Sequence, residues 1–136
     1  MKLKKIDHIG IVVKDLEKAL KFYKDKLGLH VECIEISDEW KVRVAFLPIG
    51  EVMIELVEPV KGSPIDKLID EKGEGLHHIA VEVDDIRKSL KELSELEVPL
   101  VDTEPRMGAE SALVAFLDAA AANNVRIELK EKAKKE

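Results

Sequence analysis

The residues best suited to chemistry are two histidines and two glutamates that occur at matching places in the chain. The segment HIGIVVKDLEKALK, which begins at His8, aligns with HIAVEVDDIRKSLK, which begins at His78, at an offset of 70 residues. The tripeptide Ile-Glu-Leu that contains Glu55 occurs again around Glu128, at an offset of 73 residues. Imidazole nitrogens and carboxylate oxygens together suit Zn, Co, Ni, Mn or Fe(II). The repeat therefore predicts one divalent metal ion bound by His8, Glu55, His78 and Glu128.

Strand periodicity predicts that these four side chains share one face of a sheet. Successive side chains of a strand point to opposite faces, and a continuous aliphatic face must pack against helices. In each of the four segments the candidate ligand alternates with Val, Ile or Leu, so it lies on the face away from the helices. A competing interpretation makes each histidine an ordinary packed side chain and Glu128 an exposed residue of an edge strand. The recurrence of the same residue types at equivalent positions favours the metal site.

Both copies of the repeat predict the same order of elements, namely a strand, a helix and three strands. The first copy predicts strands at 6–13, 30–36, 41–47 and 52–57, with a helix that Asp15 caps and that runs to about 27. Ser63-Pro64 opens a short helix in the link. The second copy predicts strands at 76–83, 99–101, 112–117 and 125–129, with a helix at 85–96. We expect an α+β fold in which two tandem βαβββ modules form a cupped mixed sheet with helices on its outer face. It is expected to be a single domain over 1–136, with modules at about 1–62 and 63–136.

Composition argues against several classes of partner. The 136 residues carry a formal net charge of −6 without a basic block, which disfavours nucleic acid and anionic membranes as partners. No apolar run reaches the roughly 20 residues of a membrane span. Cys33 is the only cysteine, so an internal disulfide is excluded and a reducing cytoplasm fits. The chain has no glutamine, two asparagines and many Lys and Glu residues, a pattern typical of proteins from thermophiles.

Several longer segments resemble the methylmalonyl-CoA epimerases of the vicinal oxygen chelate superfamily, which has a glyoxalase/bleomycin-resistance-like fold. They are DHIGIVVKDLEKALKFYKDKLGL, IELVEP, SPIDKLIDEKGEGLHHIAVEVDDI and EPRMGA. The resemblance covers the chain from about residue 6 to residue 129. GEGLHH and SPI are characteristic of the epimerases, whereas the first segment is shared with glyoxalases. The metal ligands of the family map onto His8, Glu55, His78 and Glu128, the set that the repeat and the strand periodicity also predict.

The resemblance implies epimerisation of methylmalonyl-CoA by proton transfer at C2 through an enolate. A divalent metal ion (Co, Mn, Zn or Ni) would stabilise the negative charge on the thioester oxygen. General bases must take and return the proton. The candidates are Glu55, Glu128 and, in a loop where the family also has a glutamate, Glu39. The resemblance further implies an acyl-CoA substrate and a homodimer. We interpret His77 as structural and His30 as a surface residue, while Trp40 and Met53 either line the cavity or fill the interior.

Two loops depart from the epimerase pattern. A GAGG-like loop is replaced by Gly108-Ala109-Glu110-Ser111. A segment like HPKS that ends in two glycines is replaced by Asp118-Ala119-Ala120-Ala121-Ala122-Asn123-Asn124. The lost lysine could have met a CoA phosphate or the substrate carboxylate, which an alanine run cannot do. Two alternatives therefore stay open: a lactoylglutathione lyase like glyoxalase I, and a non-catalytic module that binds a small ligand.

Overall fold

The computed structural model describes residues 1–134, and these form two compact units. The first unit comprises His8–His77. The second comprises Met1–Asp7 and the chain from His78 onwards, so that the boundary falls inside the first strand. Each unit contains four strands and a helix in the predicted βαβββ order, and the first unit has a further short helix after its last strand. This confirms the α+β class and the duplicated module.

In the first unit the strand order is β2-β3-β4-β1. β1 (Lys5–Val12) runs parallel to β4 (Val52–Pro59), and β3 (Val42–Ile49) lies antiparallel between β4 and β2 (Cys33–Ser37). Helix α1 (Leu16–Leu20) continues as a π-helical segment, Lys21–Lys26, and α2 (Asp66–Lys72) follows β4. Gly28, with a φ of 77°, adopts the left-handed conformation just after the helix, where the sequence predicts its end.

The second unit has the equivalent order, β5-β8-β7-β6. β5 (Gly75–Glu82) runs parallel to β8 (Ile127–Glu131), and β7 (Leu113–Phe116) lies antiparallel between β8 and the two-residue β6 (Arg106–Met107). Helix α3 spans Ile86–Glu95, and two short 3₁₀ turns occupy Ala109–Ser111 and Ala119–Ala122.

One face of each sheet packs on the helix of its own unit. In the first unit, Val13, Ala45, Leu47 and Leu56 form a buried cluster with Leu16 of α1. The equivalent cluster of the second unit joins strand residues to α3 and contains Val83, Ala115, Leu117, Leu129, Ile86, Leu90 and Leu93. Because side chains alternate between the faces of a strand, the residues between these apolar positions point to the opposite face. We call that opposite face the ligand face of each unit.

Two carboxylates cap each of these helices at its N-terminus. Asp15 accepts a hydrogen bond from the backbone N–H of Lys18, and Asp85 accepts one from Lys88, as the sequence predicts for Asp15. A second carboxylate comes from the last strand of the unit. Glu58 of β4 accepts from the N–H of Leu16 at 2.7 Å, and Glu131 of β8 accepts from that of Ile86 at 2.9 Å. The end of each last strand is thereby tied to the start of its helix.

The strand predicted at 99–101 is wrong. That segment makes only an isolated bridge between Leu100 and Leu117, and the edge strand is Arg106–Met107 instead. The N–H groups of Val101 and Asp102 both donate to the Phe116 carbonyl, each at 3.1 Å, so no regular ladder continues beyond this bridge. The Asp102 carboxylate then accepts from the N–H of Phe116 and from Arg106, so it takes the place of ladder hydrogen bonds. Within residues 1–134, no helix is long and apolar enough to cross a membrane.

Candidate metal centre

The first unit contains a buried histidine–glutamate pair. His8 lies on β1 and Glu55 on the neighbouring parallel strand β4, opposite Gly10. The His8 Nδ1 and Glu55 Oε2 atoms are 3.1 Å apart. The His8 residue is 5% exposed and the Glu55 side chain 16% exposed. Both side chains belong to the ligand face, as the strand periodicity predicts.

The second unit repeats this pair with the same stagger. His78 lies on β5, and Glu128 lies on β8 opposite Ala80, which is again the residue two positions after the histidine. The His78 Nε2 and Glu128 Oε2 atoms are 3.5 Å apart, and both side chains are less than a tenth exposed. The ring of Phe116 meets the His78 ring edge-on, with centroids 5.7 Å apart. Phe116 also lies directly across from Glu128, as Phe46 lies across from Glu55 in the first unit.

Each pair offers an imidazole nitrogen and a carboxylate oxygen in a place largely removed from water. Burying an ionised carboxylate is costly unless it has a hydrogen-bond partner or binds a metal. The imidazole satisfies part of that need, and a divalent cation would satisfy more of it. Zn, Mn, Co and Ni all accept imidazole and carboxylate together. The chemistry of the donors in each unit therefore fits a divalent metal ion.

The structure places the other candidate residues in less enclosed positions. Glu39 is exposed in the turn between β2 and β3, and His30 is exposed as expected. Trp40, Met53 and His77 are each partly buried. Among the described residues 1–134, no group of three potential metal-binding side chains includes Glu39. A role for Glu39 as a base stays a prediction.

An ionic cluster on the second unit escaped the sequence analysis. Lys130 Nζ lies 2.8 Å from Asp7, and Lys132 Nζ lies 3.0 Å from Glu82. Lys132, which donates to Glu82, holds the pKa of the Glu82 carboxyl below its ordinary value, and Lys4 adds to the effect. Glu82 and Lys130 alternate with the core residues of β5 and β8, so they share the ligand face with His78 and Glu128. In the sequence, the signal for this cluster was a charged residue at a ligand-face position of an otherwise apolar strand.

Both loops that depart from the epimerase pattern contain consecutive residues in the left-handed conformation. Glu110 and Ser111 have φ values of 56° and 61°, and Asn123 and Asn124 have values of 57° and 67°. Glycine adopts this region without strain, and asparagine tolerates it better than most residues. The backbone at these positions thus has the conformation that paired glycines would favour, while the side chains differ.

Comparison with known proteins decides the family. The sequence profile of the glyoxalase/bleomycin resistance protein/dioxygenase superfamily matches residues 7–116. The chain belongs to this superfamily. The matched range contains His8, Glu55 and His78, and it ends before Glu128.

Members of the superfamily that are similar over nearly the whole chain include methylmalonyl-CoA epimerases. The human mitochondrial methylmalonyl-CoA epimerase is 34% identical over 95% of this chain and 74% of its own length. A Streptomyces coelicolor methylmalonyl-CoA epimerase variant, solved with 2-nitronate-propionyl-CoA, matches with a TM-score of 0.90 and 32% identity over 99% of each chain. YqjC of Bacillus subtilis, an uncharacterized protein, is 40% identical over 95% of this chain and 93% of its own.

Proposed function

We propose that this protein is a methylmalonyl-CoA epimerase that moves a proton on and off C2 of its substrate. The duplicated histidine–glutamate pair is the observation that carries the proposal. It occurs in a chain that is similar, over nearly its full length, to proteins named as methylmalonyl-CoA epimerases. The C2–H bond is acidic because the adjacent thioester carbonyl can take up the negative charge as an enolate. Catalysis therefore needs a base and a group that stabilises that charge.

We further propose that His8, Glu55, His78 and Glu128 together bind one divalent metal ion. Support comes from the repeat in the sequence and from the equivalent pair in each unit, with nitrogen–oxygen distances of 3.1 and 3.5 Å. When bound, such an ion supplies Lewis acidity that stabilises negative charge on the thioester oxygen. Within each unit the histidine and the glutamate lie on neighbouring parallel strands. Side chains on strands are held in place more precisely than side chains on loops.

Proton transfer needs a carboxylate that can reach C2, and the chain offers three candidates. Glu55 and Glu128 belong to the two histidine–glutamate pairs, so both would lie close to a substrate bound at the metal. Glu39 is exposed in the turn between β2 and β3. It would act as a base only if that turn lies beside the bound substrate. Epimerisation returns the proton to the opposite side of C2, so it requires either two of these groups or one that moves.

Recognition of the CoA part must differ from that in epimerases with an HPKS-like loop. The Asp118–Asn124 hairpin has no histidine or lysine. The Asp118 carboxylate is occupied by the backbone N–H of Ala120, at 2.9 Å. Any cationic side chain that contacts a CoA phosphate therefore lies outside that hairpin.

The test combines metal analysis with hydrogen exchange. Purified protein is loaded with Co, Mn, Zn or Ni, and one epimer of methylmalonyl-CoA is incubated with it in D2O. We expect racemisation with deuterium appearing at C2, and we expect His78→Ala to abolish both while the chain stays folded. Turnover of lactoylglutathione without exchange into methylmalonyl-CoA would assign the chain to the glyoxalase class. Metal binding without any exchange would make it a ligand-binding module, and full metal content in His78→Ala would reject the site.

A further inference from the structure

The two units match in their histidine–glutamate pairs but differ in the residue beside each histidine. In the first unit, Met53 of β4 lies directly across from His8 of β1. The offset of 73 residues that relates Glu55 to Glu128 relates Met53 to Arg126. The position beside the histidine therefore holds a neutral thioether in the first unit and a guanidinium in the second.

The backbone places Arg126 beside His78. The N–H of Ile79 donates to the Arg126 carbonyl at 3.0 Å, so the parallel ladder between β5 and β8 reaches Arg126. Ile79 lies across from Ile127, and the residues that precede them, His78 and Arg126, are neighbours in the same register. Neighbouring strands are about 4.8 Å apart. The two backbones are therefore separated by about one strand spacing.

The side chain of Arg126 belongs to the ligand face. Ile127 packs against the hydrophobic core of the second unit, on the side of α3. Because successive side chains of a strand point to opposite faces, Arg126 lies on the same face as His78 and Glu128. Arg126 is partly buried there. Lys130 is a second cation on this face, but its ammonium lies 2.8 Å from Asp7 and it follows Glu128 by two residues.

A guanidinium beside a cation-binding histidine has an electrostatic consequence. Arginine stays protonated at physiological pH, and its charge repels a divalent cation bound nearby. The neutral Met53 causes no such repulsion in the first unit. An anion that binds next to both the metal and the guanidinium removes the repulsion, so the position suits a ligand that carries a negative group close to the metal.

We propose that Arg126 is a specificity-determining residue that binds the free carboxylate on C2 of the acyl-CoA substrate. The inference rests on the proposed function, because it takes the thioester oxygen to lie at the metal. The carboxylate is bonded directly to C2 and so lies close to that oxygen, whereas the whole pantetheine arm separates the CoA phosphates from it. The planar guanidinium pairs with a carboxylate through two parallel hydrogen bonds.

This pairing also favours the proton transfer. Removing the C2 proton adds negative charge next to the carboxylate, and a guanidinium on the carboxylate offsets the repulsion between the two. The contact is therefore stronger in the transition state than in the bound substrate. Losing it should lower kcat as well as weaken binding.

Three variants test the assignment. Arg126→Met copies the equivalent position of the first unit, and Arg126→Lys keeps the charge without the planar fork. Arg87→Met is the matched control, because Arg87 is an exposed arginine of α3, on the other side of the sheet. Metal content is measured first. We expect none of the variants to lose metal, since removing a positive charge does not weaken the binding of a cation, and loss of metal in Arg126→Met would overturn the assignment.

Two thioesters separate the carboxylate from the rest of the substrate. One is methylmalonyl-CoA, and the other is propionyl-CoA, which has no carboxylate and is used as a competitive inhibitor. Losing a hydrogen bond to a charged group corresponds to about a 10- to 150-fold effect. We expect Arg126→Met to lower kcat/KM for methylmalonyl-CoA by that factor, Arg126→Lys to lower it less, and Arg87→Met to leave it unchanged. The Ki of propionyl-CoA should stay the same in all of them. Equal weakening of both thioesters, or of neither, would overturn the contact with the carboxylate.

The outcomes also separate this inference from the proposed function. If the wild type does not epimerise methylmalonyl-CoA, the proposed function fails, and titration calorimetry with both thioesters still decides the role of Arg126. A preference of the wild type for methylmalonyl-CoA that Arg126→Met loses would support the contact. A preference that the variant keeps would show that another group selects the carboxylate, and it would overturn the inference, as would the absence of any preference.

Discussion

Two glutamates of β8, three residues apart, should respond differently to substitution: one change should affect metal binding and the other the stability of α3. Glu128 points to the ligand face, beside His78, whereas Glu131 accepts a hydrogen bond from the first N–H of α3. Both are replaced by alanine, one at a time. We expect Glu128→Ala to remove metal binding without releasing α3, and Glu131→Ala to weaken α3 without affecting the metal.

The size of each effect follows from the contacts. Removing a side chain that caps a helix N-terminus costs about 1–2 kcal/mol. An unfolding entropy of about 2.1 cal/mol/K per residue gives about 0.29 kcal/mol/K for the whole chain, so Glu131→Ala should lower Tm by about 4–7 °C. A metal present at 100 times its Kd stabilises the wild type by about 2.7 kcal/mol, which is about 9 °C. Losing a direct ligand should weaken affinity by at least about 100-fold, the upper range for outer-shell groups, which leaves a gain of at most about 0.4 kcal/mol, or about 1.4 °C.

The assay is thermal unfolding of each protein with a chelator and then with added metal, followed by metal analysis after dialysis. The wild type and Glu131→Ala should gain the same increment in Tm from the metal, starting from different values. Glu128→Ala should gain at most about 1.4 °C. If Glu128→Ala keeps the full increment, or if Glu131→Ala loses it, the assignment of the two faces of β8 is refuted.

Three further predictions follow from the ion pairs, the hairpin and the family. The folded-state pKa of Glu82 is lowered, first by its hydrogen bond from Lys132, so its contribution to stability is complete above the unfolded pKa of about 4.3 and disappears as the pH falls through the folded value. Metal-free Glu82→Gln should therefore lose less Tm than the wild type on acidification, and an equal loss would contradict this. Asn124→Ala should cost about 1–2 kcal/mol in denaturant unfolding because of the left-handed φ of 67°, whereas Asn124→Gly should be close to neutral. Sedimentation equilibrium should give twice the chain mass of 15.2 kDa, since the resemblance implies a homodimer.

The sequence could predict the fold, and the strand face on which the two histidines and two glutamates lie, because both depend on local and repeated signals. Alternation along a strand decides the face on which His8 or Glu128 lies, and the duplication doubles the evidence. The sequence could not locate β6, because the Asp102 carboxylate replaces ladder hydrogen bonds by accepting from the N–H of Phe116, 14 residues away. The same holds for Glu58 and Glu131, whose capping partners lie 42 and 45 residues away. The Ser63 hydroxyl likewise reaches a carbonyl 23 residues away, which no local pattern encodes.

The left-handed pair Asn123-Asn124 has a consequence for how this chain could be altered. The short 3₁₀ turn before the pair, Ala119–Ala122, is bounded by the Asp118 cap on one side and by these two residues on the other. None of its four alanines is fully buried. We therefore expect that side chains within the turn can be exchanged without moving β7 or β8. The hairpin is thus a site for engineering. A lysine introduced there could change ligand preference while the sheet and its histidine–glutamate pairs keep their positions.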